Sequence, residues 1–280
     1  DGGNTWESQL RNPDESYWGI HFADDNEGWV VGWRSIYHTN NKGATWEKQI
    51  NPDPAHSGDL MDVYFINNEV GWIVGTYKTI FKTIDGGETW VKQMSQTGGG
   101  WNWLTEVVFT DELHGCAVGS YYNPSRGAIL VTNDGGNTWT ETIISSPYSS
   151  GFLTVCFKDS IHGWVSGYGV NGVGATLHRT SDGGITWQAQ GAYAGCIDDI
   201  EFFNENEGLF LKDGSKIRRT FDGGLTWDEQ IYTGSSSYFK KLTIFDNNKC
   251  IAAGDNGILT KSIDGAANWE EISSKMRYNI

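Results

Sequence analysis

Short apolar stretches alternate with polar turns along the chain, and the same order of parts returns every 40 to 49 residues. Each period opens with an apolar stretch that usually ends in Phe, such as Val63–Phe65. A second stretch reads Gly-Trp-x-Val-Gly in its clearest copies, Gly28–Gly32 and Gly71–Gly75, and a third ends in Thr or Ser, as Ile80–Thr83 does. Their β-branched and aromatic content predicts three strands per period.

A six-residue stretch, Asp-Gly-Gly-x-Thr-Trp in its full form and called the box here, follows each third strand. Its seven copies begin at Asp1, Asn41, Asp85, Asp134, Asp182, Asp222 and Asp264, and those at Asn41 and Asp264 are degenerate. Wherever residues precede the box, Ser or Thr stands two places before it. Gly allows positive φ, and an Asp carboxylate accepts hydrogen bonds from nearby N–H groups, so the box predicts a turn. The Trp then opens a fourth strand, and the alternating Asp pattern of a calcium loop is missing.

Four antiparallel strands in each of several repeats predict an all-β fold, a β-propeller of four-stranded antiparallel blades. Six complete periods follow a lone box with a fourth strand, Asp1 to about Leu10. We therefore expect one propeller domain over residues 1–280, seven-bladed with a partial first blade, and six blades are the alternative. Because the chain starts inside the pattern, we expect a mature or N-terminally truncated form.

The pattern Ser/Thr-x-Asp-Gly-Gly-x-Thr-Trp resembles the Asp-box (BNR) repeat, and the resemblance covers the whole chain. The Gly-Trp-x-Val-Gly strands most resemble the Ycf48/HCF136-like photosystem II assembly factors and related secreted bacterial proteins. This resemblance implies seven blades, with the boxes on the outer turns between third and fourth strands, where they stabilise the fold. It also implies a non-catalytic scaffold that binds a protein partner, in complex assembly or at the cell surface. The expected location is secreted, periplasmic or at the cell surface.

The charge of the chain narrows the classes of partner. Its 35 acidic and 20 basic residues give a net charge of −15, which argues against nucleic acid or an anionic membrane surface as a binding partner. No apolar run is long enough to insert into a membrane. The four cysteines fall in different repeats without a CxxC pair, and the six histidines show no metal-ligand spacing. No glycine loop of the phosphate-binding kind leads into a helix, so neither a metal nor a cofactor is expected.

Sialidases and xyloglucan hydrolases also carry Asp boxes, so a glycan-binding or glycoside-hydrolysing propeller is the alternative function. Glycoside hydrolysis needs two carboxylates at a set separation. Acids do begin several innermost strands, at Asp62, Glu106, Asp198 and Asp199. We interpret them as solvated strand ends rather than a catalytic pair, and the Arg-Ile-Pro segment of sialidases is missing. A non-enzymatic role is favoured, and carbohydrate is the alternative ligand.

Turn geometry predicts where a partner binds. Successive turns of antiparallel strands alternate sides, so the boxes share one side with the turns between first and second strands. The other side carries the long links, and loops on a rigid scaffold commonly bind ligands. We predict binding on this face, with Trp101 and Trp103 at its centre, although about half of the rings are expected to fill gaps between blades. The candidate residues are Trp18, Asp62, Trp101, Trp103, Glu106, Tyr121, Tyr122, Arg126, Tyr148, Tyr193, Asp199 and Tyr238.

Overall fold

Short β-strands and tight turns make up nearly all of the computed structural model. It describes residues 7–10, 12, 14–53, 58–94, 102–122, 125–144, 151–169, 174–193, 195–213, 216–228 and 238–272. The chain divides into two compact units. The first unit comprises residues 8–146 and 150–155, and the second comprises residues 1–7, 147–149 and 156–280.

The first unit contains three four-stranded sheets, in which each strand pairs with its neighbour in sequence. We call them blades 1 to 3. Blade 1 consists of β1 (Tyr17–Phe22), β2 (Gly28–Gly32), β3 (Ile36–Thr39) and β4 (Glu47–Gln49). Blade 2 consists of β5 (Leu60–Phe65), β6 (Gly71–Gly75), β7 (Thr79–Thr83) and β8 (Val91–Met94). Blade 3 consists of β9 (Asn102–Phe109), β10 (Gly115–Tyr122), β11 (Ser125–Thr132) and β12 (Thr140–Ile144).

Blades 4 to 6 follow, and strand β13 of blade 4 starts in the first unit and continues into the second. Blade 4 consists of β13 (Gly151–Phe157), β14 (Gly163–Tyr168), β15 (Ala175–Thr180) and β16 (Gln188–Tyr193). Blade 5 consists of β17 (Ile197–Phe202), β18 (Gly208–Lys212) and β19 (Lys216–Thr220). Blade 6 consists of β20 (Phe239–Ile244), β21 (Cys250–Gly254), β22 (Leu259–Ser262) and β23 (Glu270–Glu271), with a 3-10 turn at Asp255–Gly257. Among the described residues, no helix has the length and apolar character needed to cross a membrane.

This topology confirms the predicted all-β fold of four-stranded antiparallel blades. The described residues form six blades, which is the alternative to the expected seven. Blade 5 has three strands within the described ranges, and the N–H of Asp228 bonds the carbonyl of Arg219 at 2.8 Å, where a fourth strand would start. The first box, residues 1–6, lies outside the described residues.

The residues after the first box show why the sequence indicated a partial blade. Residues 7–10 form no strand. The side chain of Gln9 nevertheless lies against Gly43 in the box of blade 1, as the side chain of Gln49 lies against Gly87 in the box of blade 2. Gln49 ends the outer strand of blade 1. Gln9 therefore takes the place of an outer-strand residue of a preceding blade.

One face of the blade 1 sheet is correspondingly exposed to solvent. Ile20 and Phe22 are 62% and 40% exposed. Their counterparts in blade 2, Val63 and Phe65, are each 2% exposed because blade 1 packs over them. Blade 1 thus presents an apolar sheet face of the kind that a preceding blade covers elsewhere in the first unit.

The core lies between neighbouring blades, where a tryptophan of one blade meets the inner strand and the box of the next. The Trp29 ring stacks on Phe65 with centroids 3.4 Å apart, and its Nε1–H donates to the carbonyl of Gly86 at 3.0 Å. The same arrangement joins Trp72 to Phe109 and Gly135, and Trp164 to Phe202 and Gly223. Each of these tryptophans is fully buried. The Gly-Trp-x-Val-Gly strands and the boxes are therefore two halves of one contact.

The box itself is a closed hydrogen-bonded turn between a third and a fourth strand. In blade 4, the Thr180 hydroxyl accepts from the N–H of Gly184 at 2.9 Å and donates to the Asp182 carboxylate at 2.8 Å. That carboxylate accepts from the Thr186 hydroxyl at 2.5 Å and from its N–H at 2.9 Å, and these bonds hold the pKa of Asp182 below its ordinary value. Gly183 and Gly184 have φ of 73° and 87°, a region that suits glycine. Equivalent bonds form the boxes at Asp85, Asp134 and Asp222.

Changing Asp182 to Ala is expected to lower the free energy of unfolding by about 1–3 kcal/mol, because several hydrogen bonds of one turn lose their acceptor. Urea unfolding of the variant measures the loss. The matched control is Asp182→Asn, since Asn41 accepts the N–H bond of its own box at 2.9 Å. The Asn variant should lose less than half of the free energy of unfolding that the Ala variant loses. A fully stable Ala variant would contradict the structural role of the box.

Candidate partner-binding face

The turns between second and third strands lie at the end of each blade opposite its box. In blade 2 this turn has Tyr77 and Lys78 at φ of 58° and 55°, a conformation rare for residues other than glycine. Thr76 at the start of the turn forms an isolated antiparallel bridge with Trp103 of blade 3. The turn of blade 2 is thereby fixed against the inner strand of blade 3.

Five residues at this junction make up what we call the aromatic–cation cluster. Lys78, Tyr121 and Arg126 lie on one face of the β10–β11 hairpin, and Trp103 and Tyr122 belong to its other face, because Trp103 pairs with Ser120 and Tyr122 with Ser125. The Lys78 ammonium donates to the Tyr121 hydroxyl at 2.6 Å. The Arg126 guanidinium carbon lies 4.5 Å from the centroid of the Tyr121 ring, within cation–π range. Tyr122 is 64% exposed, and Trp103 is partly exposed. The cluster therefore exposes its rings in part, while the Lys78 side chain is largely buried at 14% exposure.

The charges of the cluster are set by Glu141 on β12. Its carboxylate lies 2.9 Å from the Lys78 ammonium and also accepts from the Tyr121 hydroxyl. Burial, assisted by Glu141, raises the pKa of Tyr121. Burial alone would lower the pKa of Lys78, but the bonds to Tyr121 and Glu141 outweigh it and raise that pKa. At neutral pH the site thus holds two cations and one carboxylate on a chain of net charge −15.

A second aromatic–cation pair occupies the equivalent turn of blade 1. Trp33 is 51% exposed, and the Arg34 guanidinium carbon lies 5.7 Å from its ring centroid. Trp18 at the start of this blade is 56% exposed. Sequence reasoning missed Trp33, Arg34, Lys78 and Glu141. The available signal was an aromatic–basic dipeptide, Trp-Arg or Tyr-Lys, just after a second strand.

The acids of the innermost strands join one blade to the next. Carboxylates of Asp62 and Glu106 accept the N–H groups of Val107 and Val155 at 3.0 and 2.7 Å. Asp199, only 2% exposed, accepts the N–H of Leu242 at 2.7 Å.

The interpretation of these acids as solvated strand ends is therefore wrong. The register of each of these three strands shifts immediately before the acid. Such a bulge re-aims a side chain, here toward the next blade. Asp198, the bulged residue itself, is partly exposed and lies 3.9 Å from the Lys240 ammonium.

The remaining candidates divide between the second unit and undescribed segments. Tyr193 is partly buried in the core of the second unit, with its ring centroid 5.5 Å from that of Phe210. Tyr238 is 54% exposed, and the Lys240 ammonium lies 5.7 Å from its ring centroid. Trp101 and Tyr148 lie outside the described residues. Of the predicted set, the structure thus brings Tyr121 and Arg126 into contact and places Trp103 and Tyr122 on the other face of the same hairpin, whereas Tyr193 fills a gap between strands.

Neither the cysteines nor the potential metal ligands indicate a further site among the described residues. All four cysteines are free thiols. Burial raises the pKa of Cys196 to about 12 and that of Cys250 to about 11, so both stay protonated at neutral pH. Within the described ranges, no group of three His, Cys, Asp or Glu side chains is arranged to hold a metal ion.

Comparison with known proteins decides the kind of propeller. The family model described as photosynthesis system II assembly factor YCF48 matches residues 54–103 and 192–278. A solved structure described as YCF48 bound to D1 peptide is 22% identical, with a TM-score of 0.72, and covers 94% of this chain and 84% of its own. The chain thus has a β-propeller fold and is similar to YCF48 over these two segments.

Two further solved structures share the fold of this Ycf48-like propeller. YCF48 from Cyanidioschyzon merolae is 18% identical with a TM-score of 0.68, and the match covers 95% of this chain and 88% of that one. An ancestral GH74 enzyme is 14% identical with a TM-score of 0.68, covering 95% of this chain and 40% of that one. At these identities the likeness shows the fold alone. No curated protein sequence matches the chain.

Proposed function

We propose that this Ycf48-like propeller is a non-catalytic scaffold that binds a peptide segment of a partner protein during assembly of a complex. The aromatic–cation cluster is the observation that carries the proposal. The proposal is also supported by the solved structure described as YCF48 bound to D1 peptide, in which a propeller of similar fold binds a peptide. We further propose a secreted, periplasmic or cell-surface location, in keeping with the acidic, Trp-rich composition.

The shape of blade 3 supports this choice of site. Its strands β10 and β11 have eight residues each, against five in β6 and β7 of blade 2. Pairing continues to the end of the hairpin, where Tyr122 lies opposite Ser125. Tyr121, Tyr122 and Arg126 therefore stand on a paired extension of the sheet, and a site on a rigid element loses little entropy on binding.

The chemistry of the cluster favours a segment with an apolar side chain next to a carboxylate. Tyr and Trp rings supply large contact areas with few rotatable bonds, and Arg pairs with carboxylates through a planar fork. With Glu141 already bonded to Lys78 and Tyr121, Arg126 is the cation best placed for a partner's acid.

The hydrolase alternative is weakened by the geometry of the inner strands. Asp62, Glu106 and Asp199 were the carboxylates on which it depended, and each bonds a main-chain N–H group of the next inner strand. A glycosidase needs one carboxylate free to protonate the leaving group and a second free to act as base or nucleophile. Rapid hydrolysis of xyloglucan or aryl glycosides that disappears in Glu106→Gln would overturn the scaffold proposal.

Peptides selected on the parent protein from a random library should carry acidic residues and should depend on the cluster. The double variant Tyr122→Ala, Arg126→Ala is expected to bind them about 10 to 30 times more weakly, because it removes one aromatic ring and one cation of the kinds that dominate binding energy at interfaces. Fluorescence anisotropy measures the affinity. Tyr238→Ala is the control, since Tyr238 is 54% exposed in the second unit. Equal binding by parent and double variant, with unchanged thermal stability, would place the peptide site elsewhere.

A further inference from the structure

Two positions of each described box contribute no side chain to the hydrogen bonds that its Asp carboxylate or Asn amide oxygen accepts, although the Asn137 side chain donates to the carbonyl of Asp134 at 2.7 Å. They are the residue just before the Asp and the residue after the second Gly. In the second unit, four of the six positions hold large apolar side chains that are mostly exposed: Ile185 at 71%, Phe221 at 56%, Leu225 at 58% and Ile263 at 70%. The other two hold Ser181 and Ala267. We call the four large apolar residues the apolar box rim.

The first unit provides an internal comparison at the same positions. They are occupied by Asn40, Ala44, Ile84, Glu88, Asn133 and Asn137. Ile84 is the single large apolar residue among these six, although the boxes form the same hydrogen bonds as those of the second unit. Formation of the box therefore does not require an apolar side chain at either position. Groups of exposed apolar residues on neighbouring turns of a folded surface mark candidate interaction sites.

Contacts between blades fix the boxes of the second unit beside one another. The Trp164 indole of blade 4 donates to the carbonyl of Gly223 in the box of blade 5 at 2.9 Å. The Arg219 guanidinium of blade 5 donates to Gly265 in the box of blade 6. It also pairs with Glu207 at 3.0 Å and lies 4.5 Å from the Phe221 ring centroid. One face of the Phe221 ring is thereby held by a fixed cation, and the ring remains half exposed.

The surroundings of the rim are acidic. The loops that carry or adjoin it, 158–162, 181–186, 203–207, 221–226, 245–249 and 263–268, contain seven carboxylates and two lysines. Each of the four rim side chains is more than half exposed, and a standard interface buries about 800 Å² on each partner, of which rather more than half is apolar. A second copy of this chain would bring the same net negative charge, whereas a basic partner would complement it.

We propose that the apolar box rim docks a basic, amphipathic segment of a partner protein. Its apolar side chains would cover Ile185, Phe221, Leu225 and Ile263, and its Lys or Arg side chains would face the carboxylates of the surrounding loops. Its residues belong to the second unit, whereas those of the aromatic–cation cluster belong to the first.

The probe is a fluorescein-labelled 14-residue peptide of Leu and Lys with Leu at helical spacing, and its counterpart has Glu in place of Lys. Anisotropy should show the Lys peptide binding the parent and the Glu peptide failing to bind. Ile185→Asn, Leu225→Asn should bind the Lys peptide at least 10 times more weakly, with thermal stability unchanged, because Asn is tolerated at the equivalent box position of Asn137. Ile84→Asn is the matched control in the first unit and should bind like the parent.

Three results would overturn the proposal. The double variant could bind as tightly as the parent, or Ile84→Asn could lose as much affinity as the double variant. Sedimentation could also show a parent dimer that the double variant abolishes, and the occupant would then be a second copy. The test is independent of the proposed function, because the Tyr122→Ala, Arg126→Ala variant should bind the Lys peptide normally.

Discussion

Replacing Trp164 with Ala is expected to lower the free energy of unfolding by about 3–5 kcal/mol, the usual cost of deleting a fully buried large aromatic side chain. The Trp164 ring is 0% exposed and stacks on Phe202 with centroids 3.6 Å apart. Its Nε1–H is the donor to Gly223 in the next box. The substitution thus removes an apolar contact and leaves a cavity between two blades of the second unit. Urea unfolding followed by tryptophan fluorescence and circular dichroism measures the loss.

Two control variants separate the contributions of Trp164. Leu209 occupies the equivalent place in blade 5, so Trp164→Leu should lose less stability than the Ala variant. Trp33→Ala removes a ring that is 51% exposed and should change stability by less than about 1 kcal/mol. If Trp164→Ala were no less stable than Trp33→Ala, the contact between tryptophan and box would not hold the blades together.

Acidification from pH 6.5 to pH 4 is expected to destabilise the protein by about 3 kcal/mol through His178 alone. Burial of this side chain, 4% exposed on β15, lowers its pKa from 6.5 to about 4. In that interval the unfolded chain binds a proton that the folded chain does not, so stability falls as the pH drops and levels off below about 4. The free energy of unfolding, measured in urea at pH 7, 5.5 and 4.5, gives the slope.

The variant His178→Leu should flatten this pH dependence. Leu130 and Phe81 fill the equivalent place in blades 3 and 2, so an apolar residue suits the position. His162→Gln is the control, since His162 lies near the surface beside Asp159 at 2.8 Å. Below pH 4 the box aspartates should dominate the pH dependence of stability, because hydrogen bonds from Thr138 and Asn268 lower the pKa values of Asp134 and Asp264 to about 2. An unchanged slope between pH 6.5 and 4 in His178→Leu would show that another group is responsible.

Much of the fold was predictable because its information is local. The hydrogen bonds of a box link residues two to four positions apart, as between Thr180, Asp182 and Gly184, so a segment of seven residues, 180–186 in blade 4, specifies the turn. The Gly-Trp-x-Val-Gly strands likewise carry their own signal through apolar residues bounded by glycines. Repetition of these local units then predicts the propeller, since each blade needs a neighbour to cover its apolar face.

The sequence indicated part of the aromatic–cation cluster, and its role in binding stays a prediction. The strand order alone placed Tyr121, Tyr122 and Arg126 on the links opposite the boxes; the structure brings Tyr121 and Arg126 into contact and places Tyr122 on the other face of the same hairpin. The strand order could not indicate Lys78 or Glu141 as members of this site, because they lie 43 and 20 residues from Tyr121 in the sequence. Those contacts depend on the turn conformation at Lys78 and on which blade lies next to which.

The tertiary structure decided the role of the inner-strand acids and the number of blades described. Asp62, Glu106 and Asp199 bond main-chain groups 43 to 49 residues away, through bulges that the alternation of apolar and polar residues does not reveal. Likewise the role of Gln9, three residues past its box, cannot be recognised from the sequence, because it depends on the contact of its side chain with Gly43. By itself the sequence determined the turns, the strands and their order, because backbone angles and short hydrogen bonds depend on neighbouring residues. Partners between blades depend on register and bulges, which form only when one sheet packs against another.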